Sequence, residues 1–140
     1  MKTRMFYLLL ISLTATLGCG GTDPNRSAIG GYVTLDGKPV EQGSIVFMPV
    51  DGTTGAAAGG PIEGGRYQIA AKDGAAVGWN RVEVRAVRKT GRMIPKGLGG
   101  TGKMIEEQVE GAAARFNAKS TLKINVKSAD NTADFEVTSK

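Results

Sequence analysis

GGYVTLDGKPVEQGSIVFMP, residues 30–49, decides the class of fold. It holds two short runs, 32–35 and 44–48, whose side chains can alternate between a buried and a wet face, as a half-buried strand requires. Between them Asp36-Gly37 suits a tight turn because glycine accepts positive φ, Lys38-Pro39 stiffens the backbone, and Gly43 opens the second run. The stretch reads as an opening β-hairpin.

Working outward, the same pattern recurs. Residues 56–62 read as a weak edge strand, because Pro61 has no amide to give to a ladder. Gly64-Gly65 turns the chain into a strand at 67–70, and Lys72-Asp73-Gly74 turns it again. Residues 79–87 form the clearest strand, placed centrally, with Val82, Val84 and Ala86 on one face and Arg81, Glu83 and Arg85 on the other. Two more runs follow at 120–126 and 132–138, separated by the turn residues Ser128, Ala129, Asp130 and Asn131. About seven strands is the count of an antiparallel β-sandwich.

Residues 89–118 lack alternation. Met104, Ile105, Val109, Ala112, Ala113 and Phe116 recur at helix-like spacing, with Glu106, Glu107 and Glu110 largely on other faces and Gly111 as a weak point. The expectation is a long, part-helical loop before the last two strands.

GYVTLDGKPVEQGSIVFMP resembles the opening of the transthyretin-like, carboxypeptidase regulatory-like domains of small bacterial lipoproteins, particularly those of planctomycete type. Gly65 to Ile69 (GRYQI) is similar to that family's "dG.Y.i" strand. Val77 to Val84 (VGWNRVEV) is similar to its "pG.Y.V.V" strand, with Trp79 where tyrosine is usual. Arg115-Phe116-Asn117 and Ser120-Thr121-Leu122 resemble its "kYn..StL" segment. The resemblance implies an all-β, Greek-key, transthyretin-like β-sandwich over residues 29–140 and a lipid anchor. It names no ligand, because this fold hosts unrelated functions.

The N-terminus has its own organisation. Lys2 and Arg4 precede an apolar run at 5–17 that ends in Gly18-Cys19, the layout of a secretory signal, and the run is shorter than the roughly 20 residues of a spanning helix. Thr16-Leu17-Gly18-Cys19 resembles a lipobox, with threonine three before the cysteine and leucine two before it. Residues 1–18 are therefore expected to be a signal peptide and Cys19 the site of lipidation. Residues 19–28 are expected to be a flexible, lipidated tether, small and polar with one proline. Cys19 is the only cysteine, and acylation accounts for an otherwise lone thiol in an exported chain. Several acyl chains make such an anchor effectively permanent. The expected location is the cell envelope, on its periplasmic face or at the cell surface.

The composition narrows the chemistry. In 140 residues there is no histidine, which excludes Ser-His-Asp and Cys-His catalysis and imidazole ligands for a metal. It also argues against the hydroxyisourate-hydrolase branch of transthyretin-related proteins. Asp36, Asp51, Asp73 and Asp130 lie in turn contexts, where the side chain bonds nearby amides. They do not form an EF-hand loop, although a weak calcium site of loop oxygens is left open. Gly97 to Lys103 fits GxxxxGK, but Met104 replaces the Ser or Thr that would bind magnesium, and no buried strand precedes it, so nucleotide binding is not expected. The formal charge of +5 falls to +3 without Lys2 and Arg4, too mild for a nucleic-acid reader.

These readings converge on a non-enzymatic, lipid-anchored envelope protein acting as a structural or protein-interaction module, without cofactor or metal. Its expected partners are the membrane, through the lipid, and another envelope protein or a surface polymer. Trp79, Arg85, Arg88 and Arg92 are the candidate contact residues. A carbohydrate-binding module, which would use Trp79, is the alternative, and a hydrolase built on carboxylates is the less favoured one.

Overall fold

The computed structural model describes residues 23–97 and 102–140. The expected signal peptide, Cys19 and the start of the tether lie outside the described residues. Twelve strand segments occur among the described residues in place of the seven expected, and no α-helix. They are β1 (Arg26–Ser27), β2 (Ile29–Leu35), β3 (Lys38–Pro39), β4 (Gln42–Pro49), β5 (Ala58–Glu63), β6 (Arg66–Ile69), β7 (Ala75–Ala76), β8 (Gly78–Pro95), β9 (Met104–Glu110), β10 (Lys123–Val126), β11 (Asn131–Thr132) and β12 (Phe135–Val137). Single 3₁₀ turns occupy Ala71–Asp73 and Ala114–Phe116.

Pairing runs in the order β10-β8-β4-β5-β6-β2-β11, with β3 and β12 also on β2 and β9 on β8. The path folds at β5–β6, whose only partners are Glu63 and Arg66, so that β10, β8, β4 and β5 face β6, β2 and β12. Alternation does the rest. Phe47 stands opposite Val82 and Ala58, and Ile45 opposite Val84, while Ile29 stands opposite Ile69 across the second layer. All are buried in one apolar cluster with Val33, Ile62 and Val137, a β-sandwich arrangement in which each layer covers the other's apolar face. The rings of Phe47, Tyr67 and Phe135 meet across the interior at 5.9–6.4 Å between centroids.

The turn reading holds at Asp36-Gly37, where φ is +50° and +79°, the paired positive values of a type I′ turn. It joins β2 to β3, however, and not to β4. The chain then crosses to the other layer, so the two runs of the opening stretch lie in opposing layers and do not form a hairpin together.

Three further expectations are corrected. No α-helix occurs among the described residues of 89–118: β8 runs on to Pro95 and β9 returns against it, because Ile94 and Ile105 pair across the ribbon and Glu106, Glu107 and Glu110 find cations on β8. Gly111, expected as a weak point in a helix, is a close approach: a Cβ there would stand 2.9 Å from Leu35 Cδ2 and 3.1 Å from the Ala86 carbonyl oxygen. The sheets are not wholly antiparallel, since β11 and β12 both pair with β2 in parallel. The tether does not extend to residue 28. Arg26 and Ser27 pair with Ala76 and Ala75, and Arg26 Nη1 donates to the Gly74 carbonyl at 2.9 Å.

Pro61 sits where its missing amide does no harm. β5 is paired along its length with β4 and meets β6 only at Glu63.

Candidate interaction surface

The eighteen residues of β8 carry the four expected contact residues, and the pleat divides them. Trp79 and Arg85 belong to the outward row with Arg81 and Glu83. Arg88 continues the row that carries Asn80, Val82, Val84 and Ala86 into the core, and emerges into solvent where the second layer ends. Trp79 and Arg85 are six residues apart, about 20 Å along the strand, so they do not converge on one ligand.

Trp79 is 45% exposed. It stands opposite Asn125 of β10, near the Arg81–Glu83 pair at 2.9 Å. Arg81 also reaches Met48 Sδ at 3.3 Å, and Lys123 pairs with Asp51 at 2.7 Å. The outer face around Trp79 is therefore charge-paired and provided with one aromatic side chain.

Beyond Ala86 the β8–β9 ribbon leaves the sandwich. A bulge of Thr90, Gly91 and Arg92 opposes Glu107, with Gly91 at φ +79°. Glu107 accepts from the Thr90 hydroxyl at 2.9 Å and pairs with Arg92 at 3.3 Å. Glu106 accepts the Gly91 amide at 3.1 Å and lies 3.9 Å from Lys89. At the root, Glu110 Oε1 accepts the amides of Ala86 and Ala112, both at 3.0 Å, while its other oxygen lies 3.8 Å from Arg85. Arg85 and Arg92 are thus committed to carboxylates. Those exposed pairs contribute only about 0.2–1 kcal/mol each, but together they fix the ribbon's register.

A groove of about 900 Å³ lies at the root, between Arg88 and Val87 on one side and Leu35, Asp36, Lys38 and Val40 on the other. Asp36 Oδ1 accepts the Ser139 amide at 3.0 Å. That bond and the Ser139 hydroxyl, with lesser help from the charges of Lys140 and Arg88, hold the Asp36 carboxyl below its ordinary range against the opposing desolvation.

The sequence reading missed Lys96, Lys103, Ile94 and the three glutamates as parts of one device. The signal available was charge: three acids in 106–110 facing the cations of 85–92 at strand spacing. Residues 98–101 of the GxxxxGK match lie outside the described residues. Among the described residues no group of three or more acidic, cysteine or histidine side chains could hold a metal ion, and no helix is long and apolar enough to cross a membrane.

No protein-family model and no curated protein matches the chain. Among solved structures it is similar to a 9R-lipoxygenase from Cyanothece PCC8801, at 15% identity and a TM-score of 0.33. The likeness covers 79% of this chain and 16% of the lipoxygenase.

Proposed function

We propose that the chain is a non-enzymatic lipoprotein of the cell envelope, exported by residues 1–18, acylated at Cys19, and built as a transthyretin-like Greek-key β-sandwich that serves as a structural or protein-interaction module. The observation that carries the contact role is the β8–β9 ribbon. Val87, Met93 and Met104, which the register places on one face of it, are all more than a third exposed, an apolar surface that folding alone does not require. An envelope partner is the occupant that fits a module tethered at one end. The test is labelling in a lipoprotein-competent bacterium. The wild type takes up fatty acid and cross-links to a membrane partner, while Cys19→Ser takes up none; equal labelling of the two would refute the anchor.

Exposure of Trp79 favours a second reading, a surface-polymer or carbohydrate contact on the outer sheet face. Glycan binding lost in Trp79→Ala would select it. The carboxylate-hydrolase reading gains nothing from the ribbon, where Glu106, Glu107 and Glu110 are occupied by cations and amides.

A further inference from the structure

The register of the β8–β9 ribbon sorts its charges onto opposite faces. On one face Arg85 and Lys89 meet Glu110 and Glu106, and the charges balance. The other face carries Arg88, Arg92, Lys96 and Lys103 against Glu107, which Arg92 and Thr90 already occupy, and Asp36 of the sandwich, which lines the root groove with Arg88. Lys96 and Lys103 stand opposite one another, joined by a backbone hydrogen bond of 3.0 Å, and both are exposed. Between the cations run Ile94 and Ile105, paired across the ribbon, and Val109 opposite Arg88. This face is therefore basic at both ends and aliphatic in the middle.

We infer that this face docks on an anionic lipid surface. Cations over anionic headgroups gain electrostatic attraction, and aliphatic side chains between them gain by leaving water for the acyl boundary. An anionic polysaccharide fits less well, because residues 88–97 and 102–110 offer no aromatic platform. A second copy paired edge to edge through β9 and centred on Glu107 would set that carboxylate against its own copy, and it would leave the cations of β8 unmatched.

The contact is separate from the acyl anchor. The chain enters the domain at Arg26, beside Ala76 of β7 and just before the start of β8, whereas the basic face occupies the far end of β8. Eighteen residues span up to about 56 Å. A bilayer held at both points would have β8 lying along it.

The inference does not require acylation, so it is tested in the full-length chain carrying Cys19→Ser, by co-sedimentation with phosphatidylcholine vesicles with and without phosphatidylglycerol. Lipid is titrated through sub-saturating concentrations, and the variants are compared by partition coefficient, so that the leader they share does not mask the difference. The expected result is preference for the anionic vesicles that falls with salt, and a loss of about 10- to 100-fold in Arg88→Gln/Lys96→Gln/Lys103→Gln. Ile94→Ser/Ile105→Ser is expected to weaken the binding that survives high salt. These side chains lie outside the core, and an unchanged circular-dichroism spectrum verifies the fold of each variant. Equal sedimentation of the parent and the triple variant would overturn the inference. So would tighter binding to dextran sulfate than to anionic vesicles, or a dimer of the parent that the triple variant lacks.

Discussion

The Tyr67 hydroxyl donates to the Ala133 carbonyl at 2.7 Å, tying β6 to the segment between β11 and β12. The same carbonyl lies over Gly31, where a Cβ would stand 2.0 Å from it. Two residues of neighbouring strands, paired in register, thus receive the C-terminal segment by opposite means, one with a hydroxyl and one with empty space. Tyr67→Phe keeps the ring between Phe47 and Phe135 and removes only the bond. It is expected to cost about 0.5–1.5 kcal/mol in urea unfolding at neutral pH.

Burial, aided by the charge of Asp134, raises the Tyr67 hydroxyl well above its ordinary value of 10.0. The folded state then keeps a proton that the unfolded chain releases. The corresponding stability is present below about pH 10 and is lost as pH rises from there towards the folded value. Urea midpoints measured from pH 8 upward should fall more steeply in the wild type than in Tyr67→Phe.

Gly31→Ala meets backbone, which cannot swing aside as a side chain can. The expected loss is about 1–3 kcal/mol or more, together with loosening of β12. Gly37→Ala provides the contrast: nothing lies within 4 Å, and only the φ of +79° resists it, at about 1–2 kcal/mol. Chemical unfolding of the two variants orders the effects.

Asp36 adds a dependence at the acid end. Its carboxyl is held below the ordinary value of 3.8 by the Ser139 amide and hydroxyl, then by Lys140 and Arg88. A lowered folded value means stability that is present above about pH 4 and lost as pH falls through the folded value. Asp36→Asn keeps an acceptor and a residue tolerant of φ +50° but removes the charge. Its unfolding midpoint should therefore change less between pH 5 and pH 2 than the wild type's.

These contacts mark what could be read in advance. Alternation at Val82, Val84 and Ala86 located the core face of β8, and Asp36-Gly37 announced its turn, because strand period and positive φ are local properties. Pairing is not local. Nothing within 44–48 says that Phe47 meets Val82 and Ala58 and not a strand beginning at Tyr32, and nothing within 132–138 dictates a parallel partner. Over 104–116 the apolar spacing fits a helix and a strand followed by a turn equally. The deciding terms are Ile94 across from Ile105 and the approach of Gly111 to Leu35, both set by distant residues. For the same reason Arg85 and Arg88 were legible as exposed cations, but the glutamates and lysines that β9 and its approach bring beside them were not.

Glu110 tests how the ribbon is joined to the body. Its Oε1 accepts two amides, from Ala86 at the last core position of β8 and from Ala112 just beyond β9, while Gly111 returns a bond of 2.7 Å to the Ala86 carbonyl. These three bonds close the point where the chain leaves the sandwich and re-enters it. Glu110→Ala strands two amide donors, and the Ala86 amide lies in a part-buried place with little water to replace the oxygen, so the expected cost is about 1–3 kcal/mol. Glu110→Gln keeps the acceptor and loses the weak attraction to Arg85, for less than about 1 kcal/mol. Amide hydrogen exchange separates a hinge from a merely stabilising contact. In Glu110→Ala, protection should fall at Ala86, Ala112 and along β9 while the amides of Ile45 and Val84 retain theirs, and uniform loss across both groups would show that Glu110 supports the whole sandwich and not the root of its arm.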